Sequence, residues 1–179
     1  RLLKSPASQK GRDFAIMLRT LGDLGYMIEW RVVNAAEAGF AQRRIRVYIV
    51  ATKVNSTYKL DPITVLNETG IFARAFPIHP VATLSEVTVH SDPVEITSTF
   101  GVGSSKSPFL TAGIYHKGIA HTAKVDLVEN PHGATLGSCV LGDHEVPAEF
   151  WVSEDKLDEW KRLKGKKTIT RVHKASGYV

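Results

Sequence analysis

The chain has a single cysteine, Cys139, which excludes an internal disulfide and any cysteine-rich metal site. One thiol fits a reducing compartment, and a cytoplasmic location is the expectation. No apolar run approaches the length of a bilayer span and no secretion-type leader opens the sequence, so no transmembrane helix is predicted. Histidines 116, 121, 132 and 144 lack a compact ligand spacing with an accompanying acid, and no metal is assigned. Internal repeats and low-complexity tracts are absent as well. Acidic charge is the scarcer sign: 18 Asp and Glu face 23 Lys and Arg, for a formal net charge of +5. That excess favours a polyanionic partner without defining one. What the chain does have is 179 residues, 43% of them hydrophobic, enough to bury a real core. It opens at Arg1 without a methionine, and the expectation is a piece of a larger protein.

Arg1–Arg12 is polar, carries Ser-Pro-Ala-Ser, and reads as loop. Asp13 is placed to cap a helix whose apolar residues Phe14, Met17, Leu18 and Leu21 share one face, with Gly25 as its stop. Met27–Asn34 then alternates, with Ile28, Trp30 and Val32 on one side, and a second strand follows from about Ile45 to Ala51. A short loop between them predicts antiparallel pairing. After Thr52 the texture changes to closely spaced Pro, Gly, Ser and Thr with short β-branched runs, which predicts irregular β structure. Ser153 is placed to cap a late helix bearing Leu157, Trp160 and Leu163, followed by the basic tail Lys161, Arg162, Lys164, Lys166, Lys167, Arg171 and Lys174. A boundary near 52–60 is expected, giving units 1–55 and 56–179.

Gln42, Arg44 and Arg46 precede the apolar run Val47–Ala51 at a spacing of two. If 42–46 is extended, one amide and two guanidiniums line one face, with Arg43 and Ile45 on the other. An isolated Gln-x-Arg-x-Arg is most often a solvated strand edge. Two cations leading into a buried strand are unfavourable unless each finds a partner, and supplying such partners is what a site does.

The segment LGYMIEWRVVNAAEAGFAQRRIRVYIVATK, Leu24–Lys53, resembles the late Gln-x-Arg-x-Arg motif of the cytosine-C5 DNA methyltransferases. The family's Leu-Gly-Tyr, Asn-Ala and Gly-x-Pro-Gln-x-Arg-x-Arg elements all find counterparts, except that Ala41 stands where the family has proline. Ser107-Pro108-Phe109 through Thr122, and Val146-Pro147 through Gly165, are similar more weakly to the family's target-recognition part. The resemblance implies an α/β fragment, the last strands of a Rossmann-like methyltransferase domain over 1–55, joined to a mixed, mostly β, irregular target-recognition domain over 56–179. It also implies methyl transfer from S-adenosylmethionine to C5 of a cytosine flipped out of double-stranded DNA. By matching position, Arg46 would stabilise charge at cytosine O2 when a thiolate adds at C6, Arg44 would hold the nucleophile loop or a phosphate, and Gln42 would orient its neighbours. Asn34 is read as structural support for the loop.

The family's Phe-x-Gly-x-Gly, Pro-Cys-Gln and Glu-Asn-Val segments have no counterpart before Gln42. Cys139, in Gly-Ser-Cys-Val, is read as a small buried thiol and not the nucleophile, and Phe100-Gly101-Val102-Gly103 as a chance likeness to the cofactor loop. The fragment is therefore expected to bind no S-adenosylmethionine and to be inactive alone, with an apolar face exposed where a catalytic half would dock. For reading DNA, the candidates are Ser104, Ser105 and Lys106 in the Gly101–Lys106 loop, and His116 and Lys117 in His-Lys-Gly. A non-catalytic DNA-binding module and an RNA methyltransferase of the same family remain the rival readings.

Overall fold

The computed structural model describes residues 2–128 and 133–164; the tail residues Lys166, Lys167, Arg171 and Lys174, and His132, lie outside them. Contacts divide the chain into two compact units, Arg1–Cys139 and Val140–Val179.

The first unit is built on a five-stranded sheet of order β2-β1-β4-β5-β3, with every neighbouring pair antiparallel. Its strands are β1 (Tyr26–Asn34), β2 (Ile45–Lys53), β3 (Ser85–Thr88), β4 (Ala112–His116) and β5 (Ile119–Ala123). Helix α1 (Arg12–Asp23) packs on one face through the periodic residues predicted for it: Phe14 and Leu18 are fully buried, and Met17 and Leu21 pack beside them. The amide of Gly25 closes the helix on the carbonyl of Gly22 at 2.9 Å. Its start differs from the sequence expectation. The cap position is Gly11, at φ 94°, and Asp13 is already helical, its carboxylate accepting from Ser5 Oγ at 2.5 Å.

The β1–β2 hairpin forms with Trp30 opposite Ile49 and Val33 opposite Arg46. Ile28 and Trp30 face α1 together with α4 (Pro93–Thr99), whose Ile96 is fully buried. The other face of β1 is covered as well. There Met27 packs with Val65 and Leu66 of the π-helical turn Val65–Thr69, which follows α2 (Pro62–Thr64), and with Ile78 beyond α3 (Ile71–Ala75).

The compositional change after Thr52 is not a break in the packing. Strand β4 pairs with β1 at Ile28↔Tyr115 through Arg31↔Ala112, so residues after 56 continue the same sheet and the contact boundary falls after Cys139 instead of near 52–60. The backbone hydrogen bonds of β1 on the side away from β2 need a partner, and the segment around Ala112 supplies it. Nor is an α/β fragment followed by a separate β domain visible: the first unit is itself mixed α/β, built on one antiparallel sheet that takes strands from both sides of residue 56. Both faces of β1 are covered, while the outer strand β2 exposes Ile45 and Tyr48.

In the second unit, short turns at Asp143–Glu145 and Ala148–Phe150 lead to α5 (Glu154–Lys164), which begins directly after Ser153. The apolar row Leu157, Trp160 and Leu163 is exposed.

Candidate functional site

The loop between β1 and β2 determines where the arginines point. Asn34 accepts from the amides of Glu37 and Ala38 through its carbonyl, and its side chain donates to Glu37 Oε1 at 2.9 Å. Gly39, at φ 93°, turns the chain back, and the last rung of the hairpin is the bond from the Ala35 amide to the Arg44 carbonyl at 3.0 Å. Asn34 therefore serves the loop, as expected. Residues 36–43 lie outside the ladder, so Gln42 sits in a bend and the strand begins only at Ile45, just past Arg44. Gln42 and Arg44 border a small cavity of about 480 Å³ with Phe40, Tyr48, Leu136 and Cys139. Cys139 is exposed there, not buried.

Arg46 takes another environment. Because Ala35 and Arg44 are bonded across the hairpin, the carbonyl of Ile45 points away from β1, along the free edge of the sheet. The Arg46 guanidinium folds onto that carbonyl at 2.8 Å and is exposed. Arg46 also borders a cavity of about 920 Å³ whose cationic rim is completed by Lys4, Lys10, Lys106 and Lys124. Its apolar floor is Val32, Val47, Phe109 and Leu110, and among the described residues no Asp or Glu borders it.

Two contacts bring these distant segments together. Gln9 forms an isolated antiparallel bridge with Val102, and its side chain donates to the carbonyls of Thr97 at 2.9 Å and Phe100 at 3.4 Å. Gly101, at φ 70°, lies so close to the Lys10 backbone that a Cβ would stand 2.7 Å from the Lys10 carbonyl oxygen. Phe109 anchors the other end of the loop, edge-on to Phe14 at 4.9 Å and stacked on Phe100 at 5.7 Å. Of the loop candidates, Ser105 and Lys106 thus meet Arg46 at one cavity, whereas Ser104 is exposed and borders neither cavity.

His116 and Lys117 are elsewhere. Lys117 (φ 46°) and Gly118 (φ 86°) form the two-residue turn between β4 and β5. That turn lies beyond the Ile28↔Tyr115 pair, while Arg46 stands opposite Val33. The separation along β1 is roughly 20 Å at the rise of a strand. Lys117 Nζ donates to the Ser56 carbonyl at 2.9 Å, and the His116 ring meets Tyr58 edge-on at 5.5 Å. Burial first, then the charge of Lys117, hold the His116 pKa below its ordinary value.

Sequence alone does not single out Lys4, Lys10 and Lys124, because they are scattered in the chain and only the Gln9–Val102 bridge and the sheet bring them to one rim. The segment Phe100–Gly103 does not fit S-adenosylmethionine. It follows a helix instead of joining a strand to one, and its Gly101 is occupied by close approach to Lys10. Among the described residues no cluster of His, Cys, Asp and Glu suits a metal ion, and no helix is long and apolar enough to cross a membrane.

A family model for the C-5 cytosine-specific DNA methylases matches residues 3–99, and the chain belongs to that family. Among curated relatives, it is 40% identical over 185 residues to the type II methyltransferase M.Sau3AI of Staphylococcus aureus, covering 97% of this chain and 42% of that protein. Shorter matches reach the type II methyltransferases M.NlaIV of Neisseria lactamica, 39% identical over 49 residues, and M.NgoBI of Neisseria gonorrhoeae, 44% identical over 45 residues. These cover 27% and 25% of this chain and 12% and 14% of those proteins. The chain thus spans less than half the length of the relatives it matches. No solved structure matches it.

Proposed function

We propose that this chain is the part of a DNA (cytosine-5-)-methyltransferase that carries the Gln-x-Arg-x-Arg arginines and the target-recognition region. The activity of the longer protein would be transfer of a methyl group from S-adenosylmethionine to C5 of a flipped cytosine in double-stranded DNA. Residues 1–55 would serve the catalytic half and 56–179 target recognition, although they share one sheet. The observation that carries this reading is the cavity where Arg46 meets Lys106 and Ser105 on a cationic rim that no Asp or Glu among the described residues borders, within a chain whose family model covers Arg46 itself. The one glycine-rich segment that imitates a cofactor loop does not fit the cofactor, so this chain's part in the reaction is that of its own side chains.

Arg46 would act on the base. Nucleophilic addition at C6 of a cytosine moves electron density toward O2, and a planar guanidinium offers two parallel N–H donors to that oxygen as its charge develops. Its present partner is one exposed neighbouring carbonyl, which a substrate oxygen can replace at little cost. Arg44, with Gln42 in the smaller cavity, would position the nucleophile loop or a phosphate. His116 and Lys117 would touch DNA only as a contact separate from this cavity.

The experiment compares single-turnover methylation with duplex binding at fixed salt in the full-length protein. Arg46→Ala is expected to lower the methylation rate by on the order of 10²–10³, the usual loss of one preorganised donor, and to weaken binding far less. Arg43→Ala, exposed and bordering neither cavity, is expected to change little. Equal damage from Arg43→Ala would mean a diffuse basic patch in place of a site.

A further inference from the structure

Five cations of the first unit away from the large cavity are engaged within the fold. Arg12 pairs with Asp13 and Arg19 with Asp23, Arg31 is bonded to backbone carbonyls, and Lys53 and Lys117 donate to the carbonyls of Leu24 and Ser56. What sets the rim of the large cavity apart is that five cations gather at one space, where Arg46 has only its neighbouring Ile45 carbonyl as partner. Among the described residues, none of Lys4, Lys10, Arg46, Lys106 and Lys124 forms an ion pair, and no carboxylate borders the space they surround. Like charges gathered without a counter-charge repel, and the arrangement is relieved by a polyanion.

The geometry narrows the class of anion. Lys4 and Lys10 come from the segment before α1, Lys106 from the loop before β4, and Lys124 from the residue after β5, so the charges surround the cavity from three parts of the chain. Between them lies an apolar floor that includes Val47 and the buried ring of Phe109. A small inorganic anion has no use for such a floor. A nucleic-acid strand does, because it alternates phosphates with sugars and bases that bury apolar surface.

We propose that Lys4, Lys10 and Lys124 grip phosphodiesters of the DNA strand that presents its base to Arg46, with Lys106 closing the same track. This rests on the DNA-methyltransferase reading above. The three lysines fix the register of the strand and leave the choice of sequence to other residues, since phosphate contacts position and do not specify.

The test is equilibrium binding of the full-length protein to a labelled random-sequence duplex over a series of salt concentrations, by fluorescence anisotropy. Each phosphate contact contributes about 0.9 to the slope of log K against log salt for duplex DNA. Lys4→Gln, Lys10→Gln and Lys124→Gln are each expected to flatten the slope by about 0.9, and the triple variant by about 2.7. Lys59→Gln, exposed and away from the cavity, is expected to leave it unchanged. Lys4 and Lys124 are exposed, so their single variants keep the test open whatever the triple variant does to folding. Slopes unaltered in the single variants, or equally flattened by Lys59→Gln, would overturn the lysine assignment while leaving the methyltransferase reading standing. An unmodified protein with no affinity for duplex DNA would sink that reading, and the lysine track with it.

Discussion

Arg31 offers the sharpest test of what holds the fold together. It is 2% exposed in the middle of the sheet, and its guanidinium donates to the carbonyls of Phe76 at 2.7 Å, Leu66 at 3.1 Å and Phe72 at 3.2 Å. These bonds tie the π-helical turn and α3 to the face of β1. Burial pushes the Arg31 pKa down to about 10, opposed by the nearby Glu29 carboxylate, so the cation survives at neutral pH. Arg31→Met keeps the apolar stem and removes all three donors. The Phe72 carbonyl would still accept from the Phe76 amide, leaving those of Leu66 and Phe76 without this partner. An orphaned buried acceptor costs about 1–3 kcal/mol. Glu29, itself buried, would lose the favourable field of this cation, and truncating one member of a buried charged set typically costs about 3–5 kcal/mol. Relief of guanidinium desolvation offsets part of this. The expected net loss is about 3–5 kcal/mol, a large share of the ~5–15 kcal/mol that holds a domain. Urea denaturation followed by Trp30 emission, in a Trp151→Phe, Trp160→Phe background, reads the first unit, because Trp30 is buried while the other two are exposed. A loss below about 1 kcal/mol would refute the reasoning, since that is the range of a surface substitution.

Two further outcomes follow from single positions. His116 is held below its ordinary pKa, so the folded chain takes up its proton less readily than the unfolded chain. Its contribution is unpenalised above about pH 6.5 and stability falls as the pH drops through and below that value. Thermal melting from about pH 8 to 5 should show this slope, and it should flatten in His116→Gln; an unchanged slope would place the titration elsewhere. Gly101→Ala should cost at least ~1–2 kcal/mol from its left-handed backbone alone, and its Cβ would also push against the Lys10 backbone, opening the cationic rim. Its melting temperature and its salt slope for duplex binding should both fall, and a fully stable variant would contradict the close approach.

Features with a local cause are legible in the sequence. The spacing of Phe14, Met17, Leu18 and Leu21 defines α1, and two apolar runs with a short loop define the β1–β2 hairpin. Three features are hidden because their causes are not local or are easily misplaced. Glu29 and Arg31 alternate with Ile28 and Trp30, which reads as a solvated face; their burial depends on the Ile71 amide for Glu29 and on carbonyls for Arg31, all contributed 35 to 45 residues later. Lys117-Gly118 looks in sequence like a DNA-contacting loop, although two residues of positive φ between Ala112–His116 and Ile119–Ala123 are the mark of a tight hairpin. Gln42 falls on the face of Arg44 and Arg46 only if the strand is extended too early, past the point where the Ala35–Arg44 bond closes the loop.

Arg31 and Arg46 together show why residue type alone does not sort structure from function. Both are arginines on neighbouring strands of one hairpin, Arg31 opposite Tyr48 and Arg46 opposite Val33. Arg31 is buried and bonds three carbonyls, so removing its charge leaves polar groups stranded away from water. Such a residue is a brace. Arg46 is exposed on the outer strand with one bond to an adjacent carbonyl. An exposed bond of that kind contributes about 1 kcal/mol or less, because water replaces it readily. The side chain is therefore free to leave it when a better acceptor arrives, and among the described residues the cavity beside it offers no competing carboxylate. The brace also reaches toward the site: Arg31 holds the Phe76 carbonyl, and the Phe76 ring stacks on Tyr48 at 6.5 Å, two residues along β2 from Arg46. Burial fixes one guanidinium so that the strand carrying the other keeps its register, and exposure leaves that other one free to take the substrate oxygen proposed for it.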